Sequence, residues 1–273
     1  KERLGIQKTS EDACSMHYSL GMSHRNKGSF DQAQQEFSEC LKLNEAHADA
    51  HYGLAESALF SGRPDLAVSH LELAQDAGYD RLKSTNARGV AYLMQGMVGE
   101  AVRSFEEVLK QRSNEPAALN NLGVAQYTHG EIDQAMINYE KAREAGNADG
   151  RYNLAMHYLK SSDFEKALAL LDYDRADAHF GRGLVYMEQA EDQKALDAFK
   201  RVLDSIPRHA GAYYNMGFIA TRLGKYEESL AHIRKGMEIE PNYENIRYHL
   251  TLDTAISEFG PYYAPKAQAQ AAD

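Results

Sequence analysis

Apolar side chains recur along this chain at the three-to-four spacing of helices, and the helical stretches themselves return with a period of 34 residues. The clearest unit is 116–149, PAALNNLGVAQYTHGEIDQAMINYEKAREAGNAD. There Leu122-Gly123, Gly130, Ala135, Tyr139 and Ala142 mark two short helices joined by a tight turn. Sliding this frame along the chain predicts units at 14–47, 48–81 and 82–115 upstream, then a shortened 148–175, 176–209 and 210–243 downstream. Each helix is then about 14 residues, roughly 20 Å long.

Three positions in each unit carry the packing pattern. The eighth is small: Gly21, Ala55, Gly89, Gly123, Ala155, Gly183 and Gly217. The twentieth, on the second helix, is small as well: Ala33, Ala67, Ala101, Ala135, Ala167, Ala195 and Ser229. The twenty-fourth is bulky: Phe37, Leu71, Phe105, Tyr139, Leu171, Phe199 and Ile233. Small residues let the two helices approach, and the bulky group fills the gap towards the next unit. Gly28, Gly62, Gly96, Gly130 and Gly224 sit where a left-handed residue ends the first helix. Ser162 and Ala190 replace that glycine in the fifth and sixth units, which predicts less sharply defined turns there. The fifth unit spans 148–175, short by the end of its second helix after Leu171. The helix is either truly shortened or missing a segment of sequence, and the second reading is favoured.

These features resemble the tetratricopeptide repeat (TPR) family over 14–243. The resemblance implies an all-α fold, seven helix pairs stacked into a right-handed superhelical solenoid. Residues 1–13 read as a lead-in arm or short helix. Segment 244–259, with Ile246, Leu250, Ile256 and Phe259, reads as a capping helix, and 260–273 as a flexible tail. In TPR proteins the inner face of the first helices binds peptides. The corresponding residues here are Tyr18, Met22, Tyr52, Phe60, Val90, Met94, Asn121, Val124, Tyr127, Tyr152, Asn153, Met156, Leu184, Met187, Tyr214, Asn215 and Phe218. This list is apolar enough to suit an amphipathic helix or a short apolar peptide. Asn121, Asn153 and Asn215 share the sixth position, where some TPR arrays hold a peptide backbone. Bonding to a neighbouring helix is the alternative. The Lys and Asn pattern that clamps a C-terminal carboxylate in chaperone-binding TPR proteins is absent.

The remaining composition narrows the function. Forty acidic against thirty basic residues leave a net charge of −10, with no basic run, which argues against nucleic acid and anionic membrane surfaces as partners. No apolar stretch reaches the length of a membrane span, so no direct membrane insertion is expected. Localisation stays open: cytoplasmic is favoured, with a periplasmic or membrane-anchored placement following if an upstream signal was removed. Cys14 and Cys40, both in the first unit, read as reduced thiols. No phosphate loop, His-Glu-x-x-His or paired Cys-x-x-Cys spacing is present. His17, His51 and His179 share one repeat position in units too far apart to meet at one metal. The expectation is therefore no cofactor, no metal and no catalysis: a scaffold or adaptor binding a protein segment in its groove. Self-assembly into homo-oligomers through groove-to-terminus contacts is the alternative, and a regulatory array for an enzyme encoded elsewhere the remote one.

Overall fold

The computed structural model describes residues 2–240 and the dipeptides 251–252 and 262–263. Fourteen helices fill the described residues, in agreement with the all-α class expected from the periodicity. In the first of two compact units they are α1 (Glu2–Asn26), α2 (Phe30–Leu43), α3 (Ala48–Phe60), α4 (Pro64–Asp76), α5 (Arg81–Met94), α6 (Val98–Gln111), α7 (Pro116–His129) and α8 (Ile132–Glu144). In the second they are α9 (Ala148–Lys160), α10 (Phe164–Leu170), α11 (Ala176–Glu188), α12 (Asp192–Ser205), α13 (Ala210–Arg222) and α14 (Tyr226–Ile239). The segment expected to cap the array, 244–259, and the tail 260–273 lie outside the described residues, except that Thr251–Leu252 and Tyr262–Tyr263 pair as two short strands. The lead-in segment runs without a break into α1.

Within each unit consecutive helices pack against each other as hairpins, and in the first unit α1, α3, α5 and α7 also pack in succession. The hairpin crossing depends on a size match inside each repeat. A Cβ added to Gly21 would stand 2.7 Å from the Phe37 ring. At Gly89 it would stand 2.5 Å from Phe105, at Gly123 2.7 Å from Tyr139 and at Gly183 2.5 Å from Phe199. The ring therefore occupies the volume that the glycine vacates. Phe37 lies equally close to Gly53 of the next repeat, 2.7 Å from its would-be Cβ, so one ring closes both the crossing and the stacking contact. Where the eighth residue is alanine, at Ala55 and Ala155, the partner is the smaller Leu71 or Leu171, and all four side chains are buried. The small eighth residue thus meets the bulky twenty-fourth of its own repeat as well as the helix opposite, where Ala135 O would lie 3.2 Å from a Cβ at Gly123.

The turns lacking glycine are as well formed as the others. Ser162 (φ 60°) and Ala190 (φ 58°) adopt the left-handed conformation of Gly28 and Gly62. The closing bonds are also the same: Asp163 N donates to Tyr158 O at 2.9 Å and Glu191 N to Tyr186 O at 2.8 Å. The hairpin packing on either side imposes the turn on residues that disfavour it. The fifth repeat's second helix, α10, is only seven residues long. A polar cluster occupies the place of its missing turns. Arg151 stacks over Tyr173, 4.8 Å to the ring centroid, and donates to Asp172 O, while Tyr173 donates to buried Asp177 at 3.0 Å. Arg175 lies beside both Asp149 and Asp177.

One further difference concerns the cysteines. Cys14 on α1 and Cys40 on α2, expected as free thiols, are joined by a disulfide. Both are buried against Phe37, and their Cα atoms are 4.1 Å apart because the first and twenty-seventh repeat positions face each other across the hairpin.

The size match gives a direct test. Gly89→Ala overfills the crossing and is expected to destabilise the chain by about 1–3 kcal/mol. Adding Phe105→Leu, which recreates the Ala–Leu pairing of the second repeat, is expected to recover part of that loss. Urea unfolding of the two single variants and the double variant measures the coupling, and strictly additive effects would contradict the match.

Candidate functional site

The first helices carry the residues expected to meet a partner, and the structure sorts them into two groups. Val90, Val124, Met156 and Leu184, which recur at the ninth position, are at most 5% exposed. All four are closed off from solvent, so in this conformation none presents a surface to a ligand. Tyr52, Tyr152 and Met187 are buried as well. Tyr18, Met22, Phe60, Met94, Tyr127 and Tyr214 remain half-buried, and Phe218 is 44% exposed. Phe60 stacks on Phe30 with ring centroids 4.8 Å apart, in a shallow depression beside the first repeat's turn. Tyr214 packs on Gly236 of α14, and its hydroxyl donates to Glu240 O at 3.1 Å.

The asparagines serve the interior. Asn121 is fully buried and donates from Nδ2 to Asn86 Oδ1 across α5 and α7 at 3.2 Å, while Asn120 donates to Asn121 Oδ1 at 3.3 Å. Asn215 donates to Gly211 O one turn back in its own helix, and Asn153 is fully buried. For Asn121 the structure therefore shows the bond to a neighbouring helix rather than an amide offered to a bound peptide. A buried amide with a partner is held in place by the cost of leaving that partner unpaired.

A charged pair lies where the repeat pattern gave no warning. At the ninth position of the second repeat stands Glu56, fully buried, and Arg25 donates to it from α1 at 2.6 Å. Burial pushes the Glu56 carboxyl up to about 7, although the Arg25 guanidinium pulls it down. Desolvation outweighs the pairing. Tyr52 in turn stacks on Tyr79, centroids 4.1 Å apart, and burial raises the pKa of both phenols. The one visible hint in the sequence was the carboxylate itself, in a register otherwise occupied by Met22, Val90, Val124, Met156, Leu184 and Phe218.

The histidines are structural in placement. His17 bonds Glu36 at 2.7 Å, His51 bonds His70 at 2.9 Å, and His179 bonds Asp174 at 2.7 Å. His51 also bonds Glu45 O, and burial lowers the His70 pKa to about 4. His47 and His209 cap α3 and α13, each accepting from a backbone N–H through Nδ1. Each ring lies against an aromatic residue of its own repeat, Tyr18 or Phe180. Among the described residues, no helix is long and apolar enough to cross a membrane.

A tetratricopeptide repeat model matches residues 18–81, 86–150 and 152–208, and a second such model matches 210–243. The chain belongs to the tetratricopeptide repeat family. This TPR chain is 22% identical to DnaJ homolog subfamily C member 3 of Gallus gallus over 234 residues, 77% of this chain and 46% of the relative. It is 30% identical to photosystem I assembly protein Ycf3 of Prochlorococcus marinus over 94 residues, 34% of this chain and 51% of that one. It thus spans about half the length of these relatives. A solved tetratricopeptide repeat protein from Parabacteroides merdae superposes with a TM-score of 0.59 over 85% of this chain and 94% of its own, at 14% identity, a likeness of fold alone. TPR proteins generally mediate protein–protein interactions and complex assembly, and their repeats are typically non-catalytic scaffolds.

The buried pair makes stability depend on pH with a definite sign. Glu56 has a folded pKa of about 7 against the ordinary glutamate value of 4.5. The folded state therefore holds the extra proton, and this group's contribution to stability falls as pH rises from 4.5 to 7. Arg25→Met strands the carboxylate and is expected to cost about 3 kcal/mol at pH 8, shrinking at pH 5 where Glu56 is protonated. Urea unfolding at the two pH values measures the difference, and an equal loss at both would show that the cation is not what matters.

Proposed function

We propose that this TPR chain is a non-catalytic scaffold that gathers a partner protein through an apolar or amphipathic segment laid on the first-helix face. The observation that supports this most is the apolar surface left open there. Tyr18, Met22, Met94 and Tyr127 are partly exposed on α1, α5 and α7 in the first unit, and Phe218 stands open on α13 in the second. Methionine and tyrosine surfaces can re-pack against a helix or an extended peptide without demanding one register. The contact set is narrower than the sequence suggested, because the ninth-position side chains from Val90 to Leu184 are closed in the core.

Charge substitutions at open positions separate binding from folding. A chain carrying Met22→Glu, Met94→Glu and Phe218→Glu is expected to keep its helical circular dichroism and to lose at least about tenfold in affinity for proteins captured by the native chain. Recovery of the same proteins with both chains would place recognition elsewhere.

Self-assembly is the second reading, and one observation favours it. Tyr226, Leu230 and Met237 form an exposed apolar stripe along α14, with Leu223 exposed just before it. A second copy seated on that stripe would give a concentration-dependent mass in sedimentation or light scattering. A constant monomer mass up to high concentration would remove this reading.

A further inference from the structure

We propose that Cys14, Cys40 and His47 form a redox-gated site for a thiophilic divalent ion of the zinc class. One donor atom from each lies within 4.8 Å of the other two, and among the described residues this is the one group of three such side chains gathered so closely. The site is built by the first hairpin and the cap that follows it. Cys14 comes from α1, Cys40 from the facing turn of α2, and His47 from the N-cap of α3. Both cysteines are buried, 1% and 0% exposed, whereas His47 is half-buried at the edge. Two thiolates and an imidazole are the donor set that zinc takes in tetrahedral sites, and the open side at His47 leaves the fourth position to water.

The two states exclude each other. Zinc holds two sulfurs roughly 3.8 Å apart, each at about 2.3 Å from the metal, so a metal-bound pair is not a bonded pair. In the structure the sulfurs are joined, which is the oxidised state. Starting from the reduced chain, Zn²⁺ displaces one proton from each thiol and binds both thiolates and the imidazole. Oxidation by an organic disulfide of the glutathione type reverses this. The two thiolate sulfurs bond to each other and the metal leaves, while the oxidant takes up two electrons and two protons and departs as two thiols.

Metal loading also acts on the next repeat. His47 Nδ1 accepts the Ala50 N–H at 3.2 Å, capping α3. Coordination through Nδ1 takes that lone pair from the cap. Coordination through Nε2 moves the ring proton to Nδ1, where it opposes the Ala50 N–H. Either way the metal competes with the cap, so the ion loosens the first turn of α3, the helix that carries Tyr52 and Glu56.

Purified chain, fully reduced under anaerobic conditions, is titrated with Co²⁺ and then Zn²⁺. The expected result is one equivalent of Co²⁺ with a thiolate-to-cobalt charge-transfer band, displaced by Zn²⁺ and absent from the oxidised chain. Cys14→Ser and Cys40→Ser are each expected to abolish the band, and His47→Ala to weaken binding at least tenfold with the fold retained by circular dichroism. Hydrogen exchange at the Ala50 amide is expected to speed up on loading in the native chain. Reduced, folded native chain that gives no charge-transfer band overturns the site. A band unchanged in His47→Ala, or an Ala50 amide unmoved by metal, overturns the role of the histidine.

Discussion

The close approach of a ring to a missing Cβ holds the repeats together. At four of the seven crossings a glycine on the first helix makes room for an aromatic side chain on the second, and no larger residue fits beside it. Dispersion falls off so steeply that a few tenths of an ångström at this contact are felt along both helices. Phe37 shows why the array propagates, since the same ring lies against Gly21 in its own hairpin and Gly53 in the next. Once the crossing is set, the turn between helices has little freedom. Ser162 and Ala190 accept a backbone conformation that costs them energy because the helices on either side have already fixed the path.

The same close packing decides what the surface can offer. Val90, Val124, Met156 and Leu184 are buried, which removes the most regular apolar ladder from contact with solvent. Binding chemistry is left to Tyr18, Met22, Met94 and Tyr127, which keep part of their surface, and to Phe218. Polar residues inside have the opposite role. Asn86 and Asn121 tie α5 to α7, and Arg25 with Glu56 ties α1 to α3. Each is a bond that an alternative register would leave unmade, at the cost of a buried unpaired polar group.

The first repeat differs from the others in chemistry while sharing their shape. It holds both cysteines of the chain, and its boundary with the second repeat holds the capping His47 and the buried ion pair. A disulfide that can be reduced and a carboxylate whose proton is poised near neutral pH are groups that respond to conditions. The rest of the array is governed mainly by apolar packing, which does not.

By itself the sequence determined the repeat, its family and its helices. The period, the small eighth residue and the bulky twenty-fourth are local regularities that survive without knowledge of rotation about the helix axis. Even the pairing of Ala55 with Leu71 and Gly89 with Phe105 can be read there as a volume held constant. What only the tertiary structure decided is which side of each helix faces water. Successive helical residues turn by about 100°, so a one-residue uncertainty in rotation moves a side chain from groove to seam. That is why Val124 and Met156 read as contacts and are core, and why Asn121 read equally as a peptide anchor or a helix tie. Glu56 and the cysteines lay further from reach, because Arg25 comes from another repeat and Cys14 meets Cys40 only when the hairpin closes. Such contacts join residues distant along the chain, and only the fold brings them together.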